Sequence, residues 1–100
     1  MKLDNQEDQI TLVSKYLSYL REVKGYSTNT TTSYKNDIKQ FFKFLNNKFK
    51  KNLETDEYVK FLNKSNYAKS SINRKIASIN KFFEWCQENK YIEEIKYKKI

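Results

Sequence analysis

The sequence contains no proline, a single glycine and no histidine among its 100 residues. Proline and glycine build the tight turns between short strands and interrupt helices, so their scarcity favours helices joined by short polar connections. The missing histidine removes the commonest general base of enzymes. We therefore expect one small all-α domain, and we do not expect an active site contained within these residues.

The features of membrane and secreted proteins are also missing. No stretch approaches the roughly 18 continuous apolar residues of a membrane span, and the first ten residues, MKLDNQEDQI, include no apolar signal region. The one cysteine, Cys86, cannot form a disulfide within the chain. It lies among Phe82, Phe83 and Tyr91, so a buried and unreactive thiol is predicted. These absences predict a cytoplasmic protein.

Metal and cofactor sites are not expected either. Zinc sites need more cysteine and histidine than this chain has, and no glycine-rich phosphate loop is present. The acidic pairs Asp56-Glu57 and Glu93-Glu94 join direct neighbours, which do not share a face of a helix. They are interpreted as capping or solvated charges, so no catalytic residue is assigned.

Positive charge, in contrast, is abundant and unevenly distributed. The net charge is +8. Residues 24–53 carry +6 and residues 64–83 carry +5, whereas the intervening residues 54–63 carry −2. Two basic blocks separated by an acidic one indicate an anionic partner more than a uniformly solvated surface.

Apolar spacing predicts four helices. They are expected from about Glu7 to Lys24, from about Thr28 onward, from Asp56 to Lys64 and from Ser71 to Asn89. Gly25 is the predicted stop of the first helix and Ser27 the predicted N-cap of the second. The apolar stripe of the first helix is predicted to be Ile10, Val13, Tyr16, Leu17, Leu20 and Val23. Residues 46–52 are expected to form a basic loop, and the tail beyond residue 92 to fray or act as a linker.

The second and fourth helices each carry a polar stripe that we place on an outer face. Each stripe combines short hydroxyls near the helix start with long cations further along, and both groups can hold phosphate oxygens. We expect the two stripes to lie side by side and to bind DNA, with Asn73, Arg74 or the threonines reaching base edges. The predicted DNA-binding residues are Thr28, Thr32, Lys35, Lys39, Lys43, Ser71, Asn73, Arg74, Lys75, Ser78 and Lys81.

Three other interpretations remain open from the residues alone. The two polar stripes could be solvated faces that bind no ligand. The domain could be a helical protein-interaction module that docks a partner through aromatic residues such as Phe44, Phe49 or Trp85. It could also be a helix-turn-helix regulator, although two matched basic helices argue mildly against a single recognition helix.

Two segments resemble the core-binding domain of the tyrosine recombinases, the phage-integrase family. The first is YLSYLREVKGYSTNTTTSYKNDIKQFFKFL, with its Gly-x-Ser turn at Gly25 and Ser27 followed by Tyr34, Ile38 and Phe41. The second is KSSINRKIASINKFFEWCQENKYI, with a hydroxyl-rich start and a Phe-Phe pair. The resemblance covers about residues 10–92. The order and spacing of the motifs in the two segments are more specific than either segment alone.

The resemblance implies a four-helix, SAM-like orthogonal bundle whose second and fourth helices face DNA. It implies that residues 1–92 are a non-catalytic core-binding domain, and that residues 93–100 begin a linker toward a catalytic domain absent from this chain. The implied partners are double-stranded DNA at the recombination site, that catalytic domain and further recombinase protomers. The family often has an Asn-Pro after the last helix, whereas YIEEIKYKKI contains no proline.

Overall fold

Four helices make up the fold in a computed structural model that describes residues 5–48 and 55–91. They are α1 (Gln6–Glu22), α2 (Thr28–Lys48), α3 (Thr55–Lys64) and α4 (Lys69–Glu88). The described residues contain no strand. The all-α prediction is therefore confirmed, and α2 begins at the predicted residue.

The differences at the helix ends are small. Residues 46–48 continue α2 instead of opening the predicted basic loop, whose remaining residues lie outside the described ranges. The predicted linker tail lies outside them as well. None of the four helices is long and apolar enough to cross a membrane over the ranges described.

The junction between α1 and α2 follows the local chemistry of its residues. Gly25 has φ +68°, a left-handed conformation that glycine adopts at little cost. The backbone N–H of Tyr26 then donates to the carbonyl of Leu20 at 3.0 Å and closes the end of α1. At the start of α2, the Ser27 hydroxyl accepts a hydrogen bond from the backbone N–H of Thr30 at 3.2 Å. Both end signals in the sequence are thus confirmed.

Aromatic side chains from α2, α3 and α4 fill the centre of the bundle. The rings of Phe41 and Phe83 meet edge to face at 5.6 Å, and those of Phe41 and Tyr58 at 5.0 Å. Such pairs add about 0.5–1.5 kcal/mol each beyond the burial of their surface. Cys86 is also fully buried, as predicted, and burial raises the pKa of its thiol to about 12. The contact between α2 and α4 is the largest in the bundle.

The apolar stripe of α1 differs from the prediction at both ends. Ile10 and Val23 are 70% and 71% exposed, so they are not core residues. Leu12 and Gln9 are buried instead. Val23 follows the last residue of α1 as its C-cap, at the very end of the helix.

Candidate nucleic-acid interface

The hydroxyl-rich start of α2 is divided between helix capping and exposure. Thr31 is buried and donates its hydroxyl to the Ser27 carbonyl at 2.8 Å, and Ser33 donates to the Asn29 carbonyl at 3.2 Å. These hydroxyls are therefore used within the helix. Thr28 and Thr32, the two predicted site residues of this turn, are exposed.

The predicted lysines of α2 lie on the flank of the helix that faces α1. Lys35, Lys39 and Lys43 line a groove of about 680 Å³ between the two helices, together with apolar side chains that include Ile10 and Phe42. Lys39 and Lys43 are exposed, whereas Lys35 is half-buried. These lysines thus form one cationic row on the α1 side of α2.

On α4 the predicted residues separate into an exposed and a buried set. Asn73, Arg74 and Lys81 are exposed, and Ser71 is half-buried. Lys75 and Ser78 are 8% and 5% exposed, so their predicted place on an outer stripe is wrong. Successive helical residues are about 100° apart, which turns Lys75 only about 40° away from the direction of the core residue Ile79.

Asp37 is the reason that these two polar residues are buried. Its carboxylate is 1% exposed and lies where α2 packs on α4. The Lys75 ammonium lies 3.3 Å from its Oδ1, and the Ser78 hydroxyl donates to its Oδ2 at 3.0 Å. The Arg74 guanidinium lies 3.2 Å from the same Oδ1. Burial of an ionised carboxylate requires such partners, because an unpaired buried charge costs several kcal/mol.

The polar contacts continue from Lys75 toward the turn before α4. The Lys75 ammonium also donates to Gln40 Oε1 at 2.6 Å and lies 5.1 Å from the ring centre of Tyr67. Gln40 in turn donates its side-chain N–H to the Tyr67 hydroxyl at 2.8 Å. We call Asp37, Gln40, Tyr67, Arg74, Lys75 and Ser78 the polar seam. It joins α2, α4 and the α3–α4 turn.

The cations of the two helices lie on two different sides of α2. Arg74 and Lys81 approach α2 on its α4 flank, through Asp37 and through the Tyr34 hydroxyl at 3.4 Å. The lysine row of α2 lies on the opposite, α1 flank. At about 100° per residue, the exposed Asn36 lies between Lys39 and Asp37 around the axis of α2. A ligand that contacts both must therefore span one helix.

The protein-docking hypothesis requires exposed aromatic side chains, but the two described ones that it names are buried. Phe44 and Trp85 are each 8% exposed and belong to the core. Phe49 lies outside the described residues. Among the described residues, no group of three His, Cys, Asp or Glu side chains could hold a metal ion.

Sequence reasoning missed Asp37, Gln40 and Tyr67. Asp37 is the only acidic residue in the sequence of α2, and it directly precedes the buried Ile38. An isolated acid beside a core position, in a helix otherwise rich in lysine, was the available signal.

Most of the sequence also matches a known family. Residues 13–90 match the family described as "Phage integrase, N-terminal SAM-like domain". This chain belongs to that family. No solved structure is similar enough to count as a match.

Curated relatives of this integrase-family domain carry recombinase names. Tyrosine recombinase XerC of Listeria welshimeri is 30% identical over 89 residues, which cover 83% of this chain and 30% of the relative. Tyrosine recombinase XerC of Herpetosiphon aurantiacus is 33% identical over 81 residues, covering 75% of this chain and 26% of the relative. The protein of that name from Rickettsia rickettsii is 29% identical. The chain thus spans less than a third of the length of these relatives.

Proposed function

We propose that this domain binds duplex DNA as the non-catalytic, clamping part of a site-specific tyrosine recombinase in the cytoplasm. Residues 1–92 would hold the core recombination site, and residues 93–100 would begin the connection to a catalytic domain elsewhere in the parent protein. That domain would supply the arginines, histidine and nucleophilic tyrosine. Neighbouring protomers on the DNA would complete the assembly.

The observation that carries this proposal is the placement of exposed cations on both flanks of α2. An α-helix with its side chains is about 10–12 Å across, which suits the roughly 12 Å width of the DNA major groove. With the exposed side of α2 in the groove, Lys39 and Lys43 on one flank and Arg74 and Lys81 on the other would face the two phosphate strands. Exposed Thr28 and Thr32 add hydroxyl donors at the helix start.

Lysine substitutions test the phosphate contacts. We expect Lys39→Ala to weaken binding to unrelated duplex sequences alike, and to reduce the slope of log affinity against log salt by about 1, because one phosphate contact is lost. Fluorescence anisotropy across a salt series measures both quantities. Lys60→Ala is the matched control, since Lys60 is an exposed lysine on α3, outside the proposed surface.

The outcomes separate the proposal from its alternative. A smaller salt slope for Lys39→Ala, with the wild-type slope kept by Lys60→Ala, supports the assignment. Equal effects of the two substitutions would mean that net charge alone drives binding. A wild-type domain with little affinity for duplex DNA at any salt would refute the proposed function, and would favour a protein-interaction module.

A further inference from the structure

The carboxylate of Asp37 is fixed through both of its oxygens. Oδ1 contacts Lys75 and Arg74, and Oδ2 accepts from Ser78. Asp37 itself is in the middle of α2, whereas its three partners belong to the first half of α4. The carboxylate therefore cannot turn without losing one of these contacts, which makes it a rigid acceptor at the helix–helix contact.

Arg74 is the only one of the three partners with a largely exposed side chain. Its exposure is 56%, compared with 10% for Lys75. One terminal nitrogen of the guanidinium donates to Asp37 at 3.2 Å. A guanidinium has five N–H donors in a planar fork, so one contact to Asp37 leaves the other donors of this largely exposed side chain available to a ligand.

Lys75 and Ser78 hold the Asp37 carboxylate from the buried side of the α2–α4 contact. Both are buried, and the Lys75 ammonium is shared between Asp37 and Gln40 under the ring of Tyr67. Neither side chain is exposed enough to reach a phosphate group directly. Their effect on a ligand outside the bundle must therefore pass through Asp37 and Arg74.

We propose that Asp37 is a positioning residue that presents the Arg74 guanidinium for a sequence-discriminating contact with duplex DNA. The inference rests on the proposed function and adds a residue that sequence analysis did not assign. A guanidinium held in place loses less freedom on binding than a mobile one. Its free edge suits the paired acceptors O6 and N7 of guanine, the commonest specific base contact of arginine. Lys75 and Ser78 are thereby reassigned from contacting DNA to holding Asp37.

A double-mutant cycle tests this inference. Two probes are used: a duplex that the wild-type domain selects from a randomised pool, and the unselected pool itself. The measured quantity is the specificity ratio, which is the dissociation constant of the pool divided by that of the selected duplex. We expect Asp37→Asn and Arg74→Ala each to lower this ratio about tenfold, the scale of one lost bidentate base contact. In the Arg74→Ala background, Asp37→Asn should lower it no further, because the two residues act as one unit.

Two controls separate positioning from stability. In a Lys39→Ala background Asp37→Asn should still lower the ratio in full, since Lys39 is on the other flank of α2. Circular dichroism shows whether each variant is folded. If Asp37→Asn fails to fold, Ser78→Ala replaces it, because that change removes only the hydrogen bond to Oδ2. A smaller loss that disappears in the Arg74→Ala background is then expected.

Each contrary result has a distinct meaning. Equal losses from Asp37→Asn with and without Arg74 would assign Asp37 a purely structural role and overturn the inference. A wild-type domain that binds DNA in a salt-dependent way but selects no sequence would also overturn it, and would leave the proposed function intact. Absence of DNA binding by the wild type would refute both.

Discussion

Tyr58 combines a well-packed ring with an unsatisfied hydroxyl. The side chain is fully buried, and its ring packs against Phe41 and Phe44 at 5.0 and 5.2 Å. Its hydroxyl has no hydrogen-bond partner within the described part of the chain. A buried polar group without a partner costs about 1–3 kcal/mol. At this position the apolar ring stabilises the fold, whereas the polar atom opposes it.

Removal of that hydroxyl should therefore stabilise the domain. We expect Tyr58→Phe to raise the free energy of unfolding by about 1 kcal/mol, because the ring stays and the desolvation cost disappears. Urea unfolding followed by circular dichroism measures the change. Tyr58→Ala, which removes the ring as well, should instead cost about 3–5 kcal/mol. A loss of stability in Tyr58→Phe would reveal a partner for the hydroxyl.

The same substitution at two isoleucines tests which α1 and α4 positions form the core. Ile79 is 1% exposed, so Ile79→Ala should cost about 2–5 kcal/mol. Ile10 is 70% exposed, and Ile10→Ala should change the free energy of unfolding by no more than about 0.5 kcal/mol. Thermal and urea unfolding of both variants give the comparison. Similar costs at the two sites would contradict the observed burial.

At the scale of the helices, the caps of α2 and α4 differ. Ser27 accepts a hydrogen bond from the first turn of α2. Ala68 occupies the equivalent position before α4, with extended backbone angles of −60° and 147°, but makes no side-chain hydrogen bond. The backbone at Ala68 already has the conformation that a capping residue requires, so only the side-chain oxygen is missing.

Replacing Ser27 by alanine and Ala68 by serine should change the free energy of unfolding in opposite directions. Ser27→Ala is expected to cost about 1 kcal/mol, and Ala68→Ser to add about the same amount, because a cap hydrogen bond is lost in one case and gained in the other. Urea midpoints of the two variants and the wild type measure the effect. Destabilisation by Ala68→Ser would show that the first turn of α4 cannot use a serine cap.

The sequence predicted the positions of the helices better than it predicted which of their polar side chains are exposed. Spacing and end signals located all four helices, since Gly25 and Ser27 act through local backbone chemistry. Lys75 and Ser78 were assigned to an outer stripe opposed to the apolar one, although at about 100° per residue Lys75 lies only about 40° from Ile79. Their burial depends on Asp37, which is far away in sequence, and a helical period cannot identify such a partner. Lys39 and Lys43 are exposed as expected, but their place beside α1 depends on tertiary packing, which a helical period does not describe.

At the scale of the whole molecule, three buried groups of the described residues resist ionisation. Burial raises the pKa of the Cys86 thiol from 9.0 to about 12. Burial is also the main cause of the raised pKa values of Tyr16 and Tyr58, with Tyr34 and Asp37 respectively adding to the effect. All three groups are neutral when protonated. The folded state therefore keeps these protons at pH values where the unfolded chain releases them.

Alkaline pH should consequently destabilise the domain. Below about pH 9 these groups are protonated in both the folded and the unfolded state, so they do not make the free energy of unfolding depend on pH. Above that pH the unfolded state binds fewer protons than the folded state. The free energy of unfolding therefore falls as the pH rises toward about 12. Melting temperatures across this range measure the decline. Tyr58→Phe should show a shallower decline, because one of the three groups no longer titrates. Parallel pH curves for the two proteins would contradict the contribution of Tyr58.

The α2–α4 contact includes both the ring packing of Phe41 on Phe83 and the polar seam. The two helices proposed to face DNA are thus the same pair that closes the core, so their relative angle cannot change without disrupting the packing. On the proposed function, the domain would meet its target as a rigid template. Bending and groove-width adjustment would then fall to the nucleic acid, so the flexibility of a target sequence would influence its selection even at base pairs that no side chain touches.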